Sequence, residues 1–433
     1  MSSSSDTYSP SIAASAGGRK EPSTIFLIAG AILLALSTIL LFVTGSEVDP
    51  ARSFSGWLVG ASFWVSIVIG TLFLTMIWYL FDAGWSIVVR RQIEHFFAAT
   101  PWLLVCFLPL IALVIMNPEG GKVAWTWLGA AKEAPGGHGT VADDVLYQAK
   151  SGYLNLAFLL IRFFGVFAVW IGLTHLFRKW SLKMDETGDH KYVHWARKLS
   201  AAGIPLCAFA TTFAAIDWFK SMNYHWFSTM YGVWFFAASM RAGLAATVLA
   251  LFWQSRRNGS LEGIVKRPHF YLMGCIMLAF TIFWAYISFS QFFLIYSANI
   301  PEETFWYNMR EFAADGSKNS WYIISRLLIY GYFFIPFFWL LFYTNKFGWR
   351  ILAAAVYILA FHIVDLYWNI MPQELVGDHH ETFTRPFSIM PVDVLTFLGT
   401  GCIFIWAYLR SSNQYRAVPI RDPRILESLN PNE

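Results

Sequence analysis

Residues Ile25–Thr44 read IFLIAGAILLALSTILLFVT, an unbroken run with no charged side chain. As a helix rising about 1.5 Å per residue, it covers the roughly 30 Å hydrocarbon core of a bilayer. The run is too long for the apolar core of a signal peptide and has no clear small-residue cleavage site, so it reads as a retained membrane helix. Comparable blocks recur along the chain. Ten spans are predicted, at about 25–45, 57–80, 98–116, 153–176, 200–219, 229–252, 269–293, 321–343, 351–372 and 389–409. Pro101, Pro109, Pro205 and Pro336 fall inside them, which membrane helices tolerate when neighbours satisfy the freed carbonyls.

Composition agrees. Only 13% of the 433 residues are charged, while 57% are hydrophobic and 18% aromatic; soluble domains carry about 25% charged residues. The chain reads as an all-α integral membrane protein, with a disordered Ser/Ala/Gly/Pro-rich tail over 1–24, a membrane domain over 25–409 and a polar C-terminal segment over 410–433. The net charge of +4 gives no reason to expect nucleic acid as a partner. Cys106, Cys207, Cys275 and Cys402 each sit alone in a different apolar block, so there is no ligand set for an iron–sulfur cluster, for c-type haem or for another metal.

Loop charge sets the expected orientation. The tail, the even-numbered loops and the C-terminal segment hold 20 of the 31 Lys and Arg residues, whereas the odd-numbered loops carry acids such as Glu47, Asp49, Asp143, Asp144, Glu302 and Glu303. The positive-inside rule places both termini in the cytoplasm and the long loops 117–152 and 294–320 outside.

A repeat is visible as well. Arg162 in span 4 is followed by Asp217 near the outer end of span 5, and Arg326 in span 8 by Asp365 near the outer end of span 9. Spans 2–5 (about 57–219) and spans 6–9 (about 229–372) therefore read as two four-helix bundles of one kind, flanked by spans 1 and 10. The matched residues predict Arg162–Asp217 and Arg326–Asp365 ion pairs that either hold the bundles together or carry protons.

A charge at bilayer centre costs roughly 2.5–3.5 kcal/mol, so each one is paired, hydrated or used. Arg162, Arg241 and His362 are placed near mid-span, and Asp217, Arg326, Asp365 and Asp393 in the outer third. His362 and Asp365, three residues apart, share a helix face along which imidazole and carboxylate can exchange a proton. The small neighbours of Arg241 (Ala237, Ala238, Ala242, Gly243) suit close helix approach around a buried guanidinium. The most distinctive run is Asp217–Gly232, DWFKSMNYHWFSTMYG, which joins spans 5 and 6. Its Trp and Tyr side chains suit an interfacial belt, but a belt does not need Asp217 or His225. Those two fit the outer mouth of a proton path. His225, with Trp226, also fits a quinone head group.

The pattern over Asp217–Thr229 resembles the ActF-type membrane subunit of alternative complex III, a bacterial quinol:cytochrome c oxidoreductase within the wider NrfD/PsrC-like family. So do the run Ser290–Thr304 (SQFFLIYSANIPEET) and the tail Asp422-Pro423-Arg424. The similarity runs along essentially the whole chain. It implies two four-helix bundles with two flanking helices, a place in the bacterial inner membrane, and menaquinol or ubiquinol as the reductant. It also implies a homologous ActC-type sister, an iron–sulfur subunit, multihaem and monohaem cytochrome c subunits and small membrane-anchored subunits, with a terminal oxidase often sharing the membrane. Haem c and iron–sulfur clusters would reside in those partners, and this chain would bind no cofactor. Quinol oxidation falls to the sister subunit, which leaves proton translocation or structural support here.

Three further readings compete with this one. The chain could hold its own quinol site near His225 or His362. It could be a secondary transporter, although Pro205 and Pro336 do not match between the repeats as broken helices would. It could be a b-type cytochrome, although His175, His225 and His362 lie at different depths and cannot pair as axial ligands.

Overall fold

The computed structural model describes residues 21–44, 49–117, 122–129, 139–313, 315–376 and 382–429. The tail read over 1–24 lies outside these as far as residue 20, and so does Glu47. Among the described residues, ten helices are long and apolar enough to cross a membrane: span 1 Thr24–Val43, span 2 Arg52–Leu80, span 3 Gly84–Met116, span 4 Leu156–Thr187, span 5 Lys191–Trp218, span 6 Tyr231–Gln254, span 7 Arg267–Ala298, span 8 Ser320–Leu341, span 9 Gly348–Ile370 and span 10 Pro391–Gln414. The chain is an all-α, multi-span membrane protein. Its described sheet is a single hairpin, Glu374–Val376 with Thr382–Thr384, between spans 9 and 10.

Spans 2–5 pack as one four-helix bundle and spans 6–9 as a second, while spans 1 and 10 pair with each other beside span 2. Spans 2 and 6 form the centre. Of their apolar windows 94% and 83% is buried, against 17% for span 1, which leaves span 1 to face lipid. The two central helices cross at contact distance because glycine faces backbone. A Cβ on Gly243 would lie 2.8 Å from Thr71 N, and one on Gly70 would collide with the carbonyl of Ser239.

Both ends of the described chain meet on one face. Glu21 N donates to Asn413 Oδ1 at 3.1 Å and Asn413 Nδ2 returns a bond to Glu21 O at 2.8 Å. We call this the terminal face and the other the loop face. Local sequence sets several helix ends. The Asn155 side chain caps span 4 by accepting from Phe158 N at 2.9 Å, Asn319 caps span 8 at Trp321 N and Tyr322 N, and Gly188, at φ +72°, ends span 4.

Two departures from the sequence reading matter for function. Segment 81–97, read as a loop, contributes the opening turns of span 3, and its helix Ile87–Phe96 is buried throughout. Its charges can be buried because partners on spans 4 and 10 and on the C-terminal segment reach them. The basic loop read at 177–199 is also largely helix, because spans 4 and 5 run on to Thr187 and back from Lys191. A 32-residue helix is about 48 Å long, well beyond the hydrocarbon thickness, so the last turns of span 4 stand clear of the bilayer core.

Candidate functional site

The ionisable residues divide by whether their charges are closed into pairs. Arg162 and Asp217 are closed. Arg162 Nε donates to Asp217 Oδ2 at 2.7 Å and Nη2 to Oδ1 at 3.0 Å, while Nη1 donates to Tyr153 O at 3.0 Å. The guanidinium also lies over the Tyr153 ring at 3.7 Å and the Phe158 ring at 4.3 Å. Arg162 therefore belongs near the loop-face end of span 4, not at mid-span as the sequence suggested. Asp393 is closed as well: Arg52 Nη1 and Nη2 donate to its two oxygens at 3.0 and 2.7 Å, and Met390 N donates to Oδ2 at 2.9 Å. The pair ties the start of span 10 to that of span 2. A bidentate pair with its remaining donors satisfied offsets part of the cost of burying two charges.

The expected Arg326–Asp365 pair does not form. Arg326 is 45% exposed in its side chain and donates to Glu311 at 3.3 Å on the loop face. It lies in the second turn of span 8, near enough to water to reach out of the bilayer. Asp365 is buried in the second bundle and held by neutral donors instead. Trp284 Nε1 donates to Oδ2 at 3.1 Å and Asn369 Nδ2 to Oδ1 at 3.2 Å.

Arg241 also lies over the Trp284 ring. Its guanidinium is 3.8 Å from the Tyr332 ring centroid and 5.2 Å from that of Trp284, and Nη2 donates to Tyr332 O at 2.8 Å. The acceptor has a cause in the sequence. Pro336 has no N–H to give the carbonyl four residues earlier, which is that of Tyr332, and residues Leu328–Phe334 widen into a π-helix. Arg241 Nε and Nη1 and the Tyr332 hydroxyl are buried without a hydrogen-bond partner among the described residues. Span 8 thus offers the second bundle a carbonyl and a ring where sequence reasoning looked for a charge.

His362 and Asp365 share span 9 but not a bond. The His362 Nε2 bonds to Ser66 Oγ of span 2 at 2.8 Å and the ring packs 5.4 Å from Phe63, whereas Asp365 turns to span 7. His362 Nδ1 has no hydrogen-bond partner among the described residues. Both side chains are buried, one against each bundle's central packing.

At the loop face His225 Nε2 pairs with Asp144, which also accepts from Tyr224 Oη at 2.7 Å and Leu146 N at 2.8 Å. Burial pushes the Asp144 carboxyl up, but the bonds from Tyr224, His225 and Leu146 outweigh it and hold the group down at about 2. Nearby, burial and repulsion from Lys150 push Lys220 down to about 8. Trp226 is fully buried, stacked on Trp306 at 4.4 Å and 9°, with Tyr231 against its edge. No ring face of Trp226 is left open for a quinone; His225 alone of the two is partly exposed. Arg310 extends this aromatic group. It lies 3.4 Å over Trp306 and donates to Trp368 O and Asn369 O, the last carbonyls of span 9. Burial without a carboxylate pushes its guanidinium down to about 9.

The sequence reading missed a cluster on the terminal face. Arg90 pairs with Asp422 at 2.6 Å, Arg91 with Asp185 and, at 3.3 Å, with Glu94, whose Oε2 accepts from Ser181 at 2.6 Å. His95 Nδ1 bonds to Ser411 Oγ at 2.8 Å, and Arg178 donates to the same oxygen at 2.8 Å. Among the described residues Glu94 Oε1 has no hydrogen-bond partner, though Arg90 Nε pairs with it at 3.6 Å, and His95 Nε2 has none. The signal was available: Glu94 follows Arg91 by three residues and Arg90 by four, so the three share a helix face. Titratable groups thus lie buried at three depths: Glu94 and His95 near the terminal face, His362 in the middle, and Asp365 toward the loop face.

Among the described residues no group of three or more His, Cys, Asp or Glu is placed to hold a metal ion. Neither protein-family models nor curated proteins match the chain.

Proposed function

We propose that this chain is a membrane subunit, without a cofactor of its own, of a bacterial quinol:cytochrome c oxidoreductase of the alternative complex III kind, and that its second bundle carries protons through Asp365. The observation that carries this reading is the company Asp365 keeps. Asp217 and Asp393 are each closed by an arginine in bidentate geometry, whereas the donors to Asp365 are neutral, an indole and an amide. A carboxylate so placed in oil has no arginine bonded to it to fix its charge, so it can take and lose a proton as its surroundings change. His95 toward one face and His362 between supply further titratable groups along the route, each with a ring nitrogen that has no hydrogen-bond partner among the described residues. The excess of Lys and Arg in the terminal-face loops supports cytoplasmic termini, with protons leaving on the opposite side.

On this reading the redox centres belong to partners: an ActC-type sister, an iron–sulfur subunit, multihaem and monohaem cytochromes c, and small anchored subunits. Purification at native stoichiometry from its own membrane tests it. Co-isolation of cytochrome c and iron–sulfur subunits supports the assignment, and isolation as a lone oligomer favours transport instead.

One feature favours a quinone site in this chain as a second reading. A cleft of about 990 Å³ opens between spans 1, 2, 6, 9 and 10, lined by Phe63, Trp64, Phe397, Ile363, Trp253 and Tyr408 among others. It is almost wholly apolar and reaches Phe63, which packs on His362. Quinone density in this cleft, and none in the sister subunit, would decide for it.

A further inference from the structure

A second cleft, of about 350 Å³, lies on the terminal face between the start of span 3, the end of span 4 and Tyr415. Its span 4 wall carries His175, Arg178, Lys179 and Lys183 against one acid, Glu186. These positions follow i, i+3, i+4 and i+8 spacing and so line one side of the helix. Arg178 is fixed in place by its bond to Ser411 Oγ at 2.8 Å and by the Tyr415 ring at 5.1 Å. His175, Lys179 and Lys183 are exposed. Among the described residues, the ion pairs that follow in the chain at the end of span 4 and the start of span 5, Arg91–Asp185 and Lys191–Asp189, involve none of the three.

The depth is that of lipid head groups. Counted from Leu156 at the loop face, His175 and Lys183 lie about 29 and 41 Å along the helix, at and just beyond the far edge of a roughly 30 Å hydrocarbon core. The other walls, Phe97, Pro101, Ile171 and Leu182, are apolar, so one side of the cleft suits acyl chains while the other is cationic. We propose that this cleft binds the phosphate group of an anionic phospholipid from the leaflet on the terminal face, with Arg178 as the fixed contact and Lys179 and Lys183 closing over it. A soluble phosphate shares the charge chemistry but has no use for the apolar wall.

The test is the phospholipid retained by the protein purified in mild detergent, read by native mass spectrometry, for the wild type, K179Q/K183Q and R178Q/K179Q/K183Q. Each cation removed near an anionic lipid lowers affinity about fivefold, so the triple variant is expected to bind about a hundredfold more weakly. The double variant alters exposed side chains and keeps the reading independent of folding. Phosphatidylglycerol added to delipidated protein should raise the thermal transition of the wild type and not that of the triple variant, while phosphatidylcholine and inorganic phosphate move neither. Equal retention in all three proteins overturns the site, and stabilisation by inorganic phosphate as strong as by phosphatidylglycerol overturns the lipid assignment.

Discussion

Trp284 and Asp365 meet through an indole N–H that donates to Oδ2 at 3.1 Å, and this bond stands where the sequence suggested an arginine. The difference separates two kinds of buried acid in one chain. Asp217 and Asp393 face guanidiniums that fix their charge, whereas Asp365 is bonded to neutral donors, with the guanidinium of Arg241 over the ring of the same indole. The first kind suits a fastener and the second a proton carrier.

The fastener is tested by breaking it from one side. Asp217→Ala leaves Arg162 buried without its counter-charge, which typically costs about 3–5 kcal/mol. We expect a clear fall in the thermal transition of the purified protein. The double replacement Arg162→Leu with Asp217→Leu should recover much of the loss, because it removes both charges together. A double variant as unstable as Asp217→Ala would show that the pair does more than hold spans 4 and 5.

Arg326 and Arg310 make a second contrast. Arg326 is half-exposed and paired with Glu311, an arrangement worth about 0–1 kcal/mol, so Arg326→Ala should leave stability and turnover nearly unchanged. Arg310 is buried, with three backbone carbonyls and two indole rings around it. Arg310→Ala strips those carbonyls of their donor and should cost several times as much. Paired melting curves decide this, and equal shifts would refute the distinction.

Acid should loosen the loop face at Asp144. Its carboxyl is held down at about 2 in the folded protein, against about 3.9 in an unfolded chain. The stabilisation it gives is therefore present above pH ~4 and fades as pH falls toward about 2. Hydrogen exchange across residues 139–152 should stay slow at neutral pH and quicken over that window. In Asp144→Asn the acid step should vanish, with exchange already faster at neutral pH.

Much of this was legible in the sequence, for reasons that differ by residue. The spans show because bilayer thickness demands long apolar runs, and Arg162 with Asp217 shows because two charges in oil must find each other. Arg326 misled because spacing gives its place along span 8 but not the side it faces. The role of Tyr332 was hidden because a backbone carbonyl freed by Pro336 has no side-chain signature. Arg90, Arg91, Glu94 and His95 look like loop in the sequence because their charge lowers the hydropathy of the first turns of span 3, and the partners that let them be buried, Asp185 and Asp422, lie far away in sequence.

The most direct test of the central claim is the rate of turnover-linked proton release by the purified complex in proteoliposomes, compared between the wild type and Asp365→Asn. Asparagine keeps an oxygen for the Trp284 indole but cannot carry a proton. The account predicts a complex with its full set of subunits whose turnover-linked proton release falls about tenfold, equivalent to about 1.4 kcal/mol on the limiting barrier. A fully assembled Asp365→Asn complex with wild-type turnover and rate of proton release would contradict it.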